Sequence, residues 1–175
     1  MKIIKLTALA FFLMSIFACN KDEDSISSDE LVGTWNLTDY HYTGSSTTTV
    51  SATGQTLTVF YTGVANNFVD PKMIITSNPN TFTTTGSYNI KLTNNPGSGE
   101  VITNQPINSN ETGTWVKNGN KLIFSSASTK DVAEFEILTL TSTTLSLKFQ
   151  KEVNQILGAG VTSKSNTTGF GTYTR

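Results

Sequence analysis

From Leu31 onward the chain keeps a two-residue rhythm, and that rhythm restricts it to β-structure. Val, Ile, Phe, Tyr and Thr alternate with polar residues, and clusters of Asn, Gly, Pro and Ser interrupt the runs. Successive side chains of a strand point to opposite faces, so each run encodes one buried and one solvated face. Strands are predicted near Gly33–Tyr42, Gln55–Thr62, Met73–Thr76, Thr81–Leu92, Glu111–Lys117, Lys121–Ser126, Ala133–Thr141, Thr144–Lys151 and Gly169–Arg175. Asn118-Gly119 marks a hairpin turn. Ser142-Thr143 joins two strands tightly, and Asn94-Asn95-Pro96-Gly97-Ser98-Gly99 reads as a loop. Only Glu152–Leu157 has helical spacing, with Val153, Ile156 and Leu157 at i, i+3 and i+4.

Helices do not alternate with strands, which argues against a parallel α/β sheet. Sequential strands with short turns favour a meander, and a meander of this length removes its exposed edges by closing on itself. The expected fold is all-β: an antiparallel up-and-down β-barrel of about eight strands, with at most one short helix before the last strand. Closure requires the Gly169–Arg175 strand to pair with Gly33–Tyr42. In the alternative, a β-sandwich, the last strand pairs elsewhere.

Alternation also predicts the interior. Leu57, Val59 and Tyr61 share a face, as do Phe82, Tyr88, Ile90 and Leu92, then Leu122 and Phe124, then Leu145, Leu147 and Phe149. In Ala133–Thr141, Phe135 and Ile137 face one way and Leu138 and Leu140 the other, so either a bulge intervenes or both faces are covered. A Gly-x-aromatic motif recurs at Gly33-Thr34-Trp35, Gly86-Ser87-Tyr88, Gly113-Thr114-Trp115 and Gly171-Thr172-Tyr173. If strands simply alternate in direction, the first, third and fourth copies run the same way and the second does not.

Charged residues are only 14% of the chain, while aromatics reach 10%, which suits a folded core and not a disordered chain. From Leu31 to Arg175 there are nine basic and eight acidic residues. This near-neutral surface, with a single Arg, lacks the electrostatic footprint of nucleic-acid binding.

The first thirty residues read as an address. Lys2 and Lys5 precede an apolar stretch to Phe17, too short for a comfortable transmembrane helix of about 20 residues. Ile16-Phe17-Ala18-Cys19 resembles a lipobox, and Cys19, the only cysteine, is the expected lipidation site. Residues 1–18 are thus expected to be a lipoprotein signal peptide, 19–30 a lipidated Cys with a flexible acidic tether, and 31–175 the barrel domain. Lys21, Asp22 and Glu23 look like an export tag that carries some lipoproteins to the cell surface. The other reading is a solvated linker on the periplasmic face. The membrane partner is reached through the N-terminal lipid.

Catalytic signatures are sparse. His41 is the only histidine, and no metal-ligand spacing, phosphate loop or nucleophile elbow occurs. If Trp35 and Leu37 point inward, strict alternation also sends Asp39 and His41 inward and Tyr40 and Tyr42 outward. A bend in the strand would instead leave Asp39 and His41 in solvent. Glu134 and Glu136 share a face that is expected to be solvated. Trp35, Trp115, Tyr88 and Tyr173 would make a sugar-stacking platform if exposed, but their spacing fits core positions better. Tyr40 and Phe60 are the outward aromatics.

Gly33-Thr34-Trp35 at the start of the first strand resembles the lipocalin-like domain family of bacterial lipoproteins. So do Thr81–Tyr88, Gly113-Thr114-Trp115 followed by Asn118–Leu122, Ile137–Leu147, and Tyr173-Thr174-Arg175. The resemblance implies an up-and-down barrel with a central cavity. It also implies closure of one end by the first-strand Trp, here Trp35, under an Arg of the last strand, here Arg175; pairing of the last strand with the first then places Tyr173 and Arg175 inward beside Trp35. The functional expectation is a non-enzymatic, surface-anchored lipoprotein of the outer membrane, with no cofactor, whose barrel takes a small apolar or amphipathic molecule. Asp39, His41, Tyr61, Tyr88 and Trp115 are the candidate ligand contacts. The alternative is a structural or adhesive β module, glycan-binding in one version, with a filled interior. A cavity of about 300 Å³ or more discriminates in favour of binding.

Overall fold

Nine antiparallel strands make up most of the chain in the computed structural model, which describes residues 30–175. The expected signal segment, Cys19 and the Lys21-Asp22-Glu23 run lie outside the described residues. The strands are β1 (Gly33–Val50), β2 (Gln55–Thr76), β3 (Thr81–Asn95), β4 (Val101–Asn108), β5 (Thr112–Asn118), β6 (Lys121–Ser126), β7 (Val132–Leu140), β8 (Thr144–Gly158) and β9 (Val161–Thr174). Eight of them close a ring, β1-β2-β3-β5-β6-β7-β8-β9 and back to β1. The closing ladder joins β1 to β9, with Leu37 opposite Tyr173 and Tyr42 opposite Gly169. β4 lies outside the ring, on the far half of β3, with Tyr88 opposite Ile107.

The core occupies the end of the barrel where all eight strands are present. Trp35, Ile75, Leu122 and Leu145 are almost fully buried, and Leu31 plugs that end from just before β1. Trp115, Phe82, Ile137 and Leu147 pack with them. These are the inward positions of alternating strands, and their burial is the main term holding the ring together. The outer face carries ion pairs, among them Lys121–Glu134 and Lys148–Glu136. Glu134 and Glu136 therefore face out, opposite inward Phe135.

The ring strands differ in length, and this shapes the molecule. β5, β6 and β7 have 7, 6 and 9 residues, whereas β1, β2, β3, β8 and β9 have 14 to 22. The long strands run on past the ring. Together with β4 they form an open six-stranded extension, β8-β9-β1-β2-β3-β4.

Several sequence expectations are corrected. Glu152–Leu157 is not helical: it continues β8, pairing with β9 through Ile156 opposite Thr162 and on to Gly158 opposite Val161. Ladder hydrogen bonds along a full partner strand outweigh a six-residue helical pattern, which is too short to nucleate. The runs Gln55–Thr62 and Met73–Thr76 belong to one strand, β2, whose middle carries register breaks and positive φ at Asn67 and Asp70. β4 is a strand beyond those expected, and it contains Asn104 and Pro106, residue types that strands disfavour. Pro106 is tolerated on a strand that pairs on one side only.

The continuous β2 also resolves the Gly-x-aromatic motif. Because Gln55–Thr62 and Met73–Thr76 are one strand and β5 pairs with β3, the copies on β1 and β3 run one way and those on β5 and β9 the other. The expected grouping of the first, third and fourth copies fails for that reason. In β7 a register shift between Ile137 and Thr139 bulges Leu138 outward, so Phe135, Ile137 and Leu140 all reach the core side.

Candidate functional site

Above the packed end of the barrel lies a cavity of about 360 Å³. Its apolar wall comes from Met73, Phe82, Phe124, Phe135, Leu147 and Tyr173, each at an inward position of its strand. Its polar side is formed by Glu111, Ser126, Thr129 and Asp131, with Thr84 beside them. The β6–β7 turn and the start of β5 bring these groups together. Glu111 Oε2 accepts hydrogen bonds from the hydroxyls of Ser126 (2.7 Å) and Ser128 (2.9 Å). The Glu111 backbone N–H donates to Thr84 Oγ1 at 2.9 Å, which fixes the carboxylate against β3. The turn is held by Ser126 N–H donating to the Asp131 carbonyl (2.9 Å) and by Lys130 Nζ donating to the Ala127 carbonyl (2.8 Å). The site therefore pairs an aromatic, apolar chamber with a rigid acidic and hydroxyl-bearing mouth.

Aromatic rings lead away from this chamber in an unbroken series. Phe82 meets Phe124 at 4.8 Å, Phe124 meets Phe135 at 5.7 Å, and Phe135 meets Phe149 at 6.0 Å between centroids. Phe149 stacks on Tyr40 at 6.1 Å, and Tyr40 also contacts Tyr88 at 6.1 Å. Such edge-to-face and offset contacts are each worth about 0.5–1.5 kcal/mol beyond area burial. Burial, reinforced by the neighbouring phenols of Tyr88, Tyr173 and Tyr42, pushes the Tyr40 hydroxyl well above its ordinary value. Tyr173 is raised in the same way, by burial and then by Tyr88.

The sequence-derived candidates divide among different places. Asp39 and His41 do not point inward. A register shift between Leu37 and Asp39 inserts Thr38 as a bulge and exchanges the two faces of β1. Tyr40 and Tyr42 turn inward, reversing the alternation-based expectation, while Asp39 and His41 sit together on the outer face. There Asp39 Oδ2 and His41 Nδ1 share a 2.7 Å hydrogen bond, and His41 stacks on Phe170 at 5.3 Å. Trp115 is a core residue, buried and donating its indole N–H to the Thr76 carbonyl at 2.8 Å. Tyr88 faces inward above the cavity, against Tyr40 and Phe68. Tyr61 lies farther out, on the inner face of the extension, where its hydroxyl shares a 2.6 Å hydrogen bond with Thr167 Oγ1. None of these five residues lines the chamber. Glu111, Ser126, Thr129 and Asp131 occupy strand-to-turn positions that carry no motif, and the β5–β6 pairing together with the β6–β7 turn brings them to one mouth.

At the opposite end Trp35 donates its indole N–H to the Leu31 carbonyl at 2.8 Å, and the Arg175 guanidinium lies 4.1 Å above the ring. Tyr173 faces inward next to Leu37 on β1. The barrel is thus closed at one end and hollow at the other. The model of the lipocalin-like domain matches residues 31–147. The chain belongs to this family. The match begins at the plug residue Leu31 and ends at Leu147, so the last turn of the ring, β9 with most of β8, completes the lipocalin-like barrel beyond it. No curated protein and no solved structure matches the chain.

Proposed function

We propose that this lipocalin-like protein binds a small amphipathic molecule in its barrel and is held at the outer membrane, facing the cell surface, by lipid on Cys19. The observation that carries the binding reading is the 360 Å³ cavity with an apolar aromatic wall and a preformed polar mouth. An eight-stranded barrel is the size at which side chains either fill the interior or leave room for one ligand. Here the inward residues of the short strands β5–β7 leave room. An apolar body fits against Phe82, Phe124, Phe135 and Met73, and a hydrogen-bond-donating head group fits at Glu111 and Asp131. The role is carriage or capture, not catalysis. The anchor reading rests on the lipobox-like Ile16–Cys19, and the surface reading on Lys21-Asp22-Glu23.

Native mass spectrometry of gently extracted protein tests the binding reading, with the fluorescent probe N-phenyl-1-naphthylamine as a stand-in ligand. A co-purifying small molecule, or saturable probe fluorescence lost on replacing Phe135 with Asp, supports it. No adduct together with no saturable probe binding would sink it.

A further inference from the structure

All five tyrosines of the chain point to one face, the inner face of the barrel and its extension. Tyr40, Tyr88 and Tyr173 serve the barrel, but Tyr42 and Tyr61 lie beyond the ring, where there is no opposite wall. Both lie across the sheet instead of standing up from it. The Tyr42 ring reaches over its cross-strand partner Gly63, and the Tyr61 ring reaches over its partner Gly44. A Cβ at Gly44 would lie 2.5 Å from the Tyr61 phenol, so the absent side chain is what makes room for the ring. Tyr61 then spans β1 completely, and its hydroxyl reaches Thr167 on β9. One face of Tyr61 is thus spent on the sheet and the other is turned to the open side. Tyr42 meets it edge-on, with centroids 6.2 Å apart and planes at 68°. The pair forms a floor and a wall.

Around that corner the inner face is rich in hydroxyls, with Leu57 and Val59 of β2 on one side and Lys151 of β8, opposite Thr167, on the other. Ser46 shares hydrogen bonds with Ser163 (3.1 Å) and Ser165 (2.9 Å), in the rows next to Tyr61. The ion pair of this region, Lys164–Glu152, lies on the other face, since Lys164 alternates with Ser163 and Ser165. The charge next to the tyrosine pair on the inner face is the single ammonium of Lys151, which disfavours a cationic ligand and can donate to a hydroxyl. An exposed ring face, a second ring at its edge and fixed neutral hydroxyls match the C–H face, the rim and the hydroxyl groups of a sugar ring. An open-ended trough matches a chain of sugars better than a single one.

We propose that the inner face of the extension, centred on Tyr61 and Tyr42, is a second binding site that takes a neutral oligo- or polysaccharide. It is separate from the barrel chamber and does not depend on what the chamber holds.

Affinity electrophoresis of the mature chain in gels containing laminarin, galactomannan, xyloglucan or soluble starch tests the proposal. At least one polysaccharide should retard the protein. Tyr61→Leu combined with Tyr42→Ala should weaken that retardation at least tenfold, while Tyr61→Phe, which keeps the ring, should retain it. Binding of N-phenyl-1-naphthylamine in the chamber should be unchanged in both variants, which separates this site from the barrel site. Should the double variant fail to fold, the unmodified chain gives the answer: bound polysaccharide should protect Tyr42 and Tyr61 from nitration by tetranitromethane. Absence of retardation by all four polysaccharides, or retardation without protection of these tyrosines, overturns the proposal.

Discussion

The guanidinium of Arg175 lies 4.1 Å over the centre of the Trp35 ring and at the same time donates to three carbonyls, Ser142 (2.7 Å), Val32 (2.8 Å) and Glu30 (2.9 Å). One planar cation thus joins the end of β9, the β7–β8 turn and the segment that enters β1. The fork geometry suits Arg, because an ammonium cannot direct donors to three separate acceptors while its carbon stem lies over a ring.

Arg175→Ala should lower stability by about 1–3 kcal/mol, from the cation–π contact and the lost charged hydrogen bonds. Arg175→Lys should recover only part of this. Trp35→Ala should cost more, about 3–5 kcal/mol, since it also opens a cavity at the closed end. Urea denaturation of the three variants checks the order, and equal midpoints for Arg175→Ala and the unchanged chain would contradict it.

Gly33 sits beneath the same cation with φ at +143°, and a Cβ there would come 2.6 Å from Arg175 Nη1. Gly33→Ala should therefore destabilise by about 1–3 kcal/mol, through backbone strain and displacement of the guanidinium. In the Arg175→Ala background the displacement component disappears, so a double-mutant cycle should show positive coupling between the two positions.

Ala133 lines the mouth of the chamber, opposite inward Phe124 on the neighbouring strand. Ala133→Trp should fill the entrance and reduce N-phenyl-1-naphthylamine binding at least tenfold, with little change in the thermal midpoint because Ala133 is exposed. A large loss of stability without loss of probe binding would place the probe elsewhere.

The raised Tyr40 and Tyr173 hydroxyls set a pH limit. Both groups keep their protons in the fold at a pH where the unfolded chain has begun to lose them. Their contribution is therefore complete below the ordinary tyrosine value of about 10 and is lost as pH rises above it, by up to about 1.4 kcal/mol per pH unit per group. Urea midpoints measured from pH 9 to 11.5 should fall. Tyr40→Phe with Tyr173→Phe should flatten that fall.

For the proposed anchor, Cys19→Ala should move the protein from the membrane fraction to the soluble fraction. Replacing Lys21, Asp22 and Glu23 with Ala should leave it membrane-bound but protected from protease added to whole cells. Unchanged protease access in the triple variant would reduce the acidic run to a spacer.

The amino-acid sequence by itself determined the class of fold and the identity of its core. A period-two pattern needs only the local geometry of a strand, so the inward sets Leu122-Phe124 and Leu145-Leu147-Phe149 follow from alternation alone, whereas Leu57-Val59-Tyr61 shares a face but lies on the open extension, with Leu57 exposed. The hairpin at Asn118-Gly119 is just as local, since Gly119 takes the positive φ the turn requires. Tertiary structure decided whatever depends on register. The bulge at Thr38 reverses the faces of β1, and it carries Tyr40 and Tyr42 inward and Asp39 and His41 outward. A slip of one residue exchanges every later side chain, and nothing in Asn36-Leu37-Thr38-Asp39 signals where the slip falls. The extension escaped the sequence reading for a related reason. Thr43–Val50, Val101–Asn108 and Glu152–Gly158 lack a regular apolar alternation and become strands because a neighbouring strand satisfies their backbone groups. The mouth of the cavity also depends on register: Glu111, Ser126 and Asp131 meet because the β5–β6 hairpin sets Gly113 opposite Ser126 and the β6–β7 turn folds Asp131 back onto Ser126, and no local motif marks that pairing.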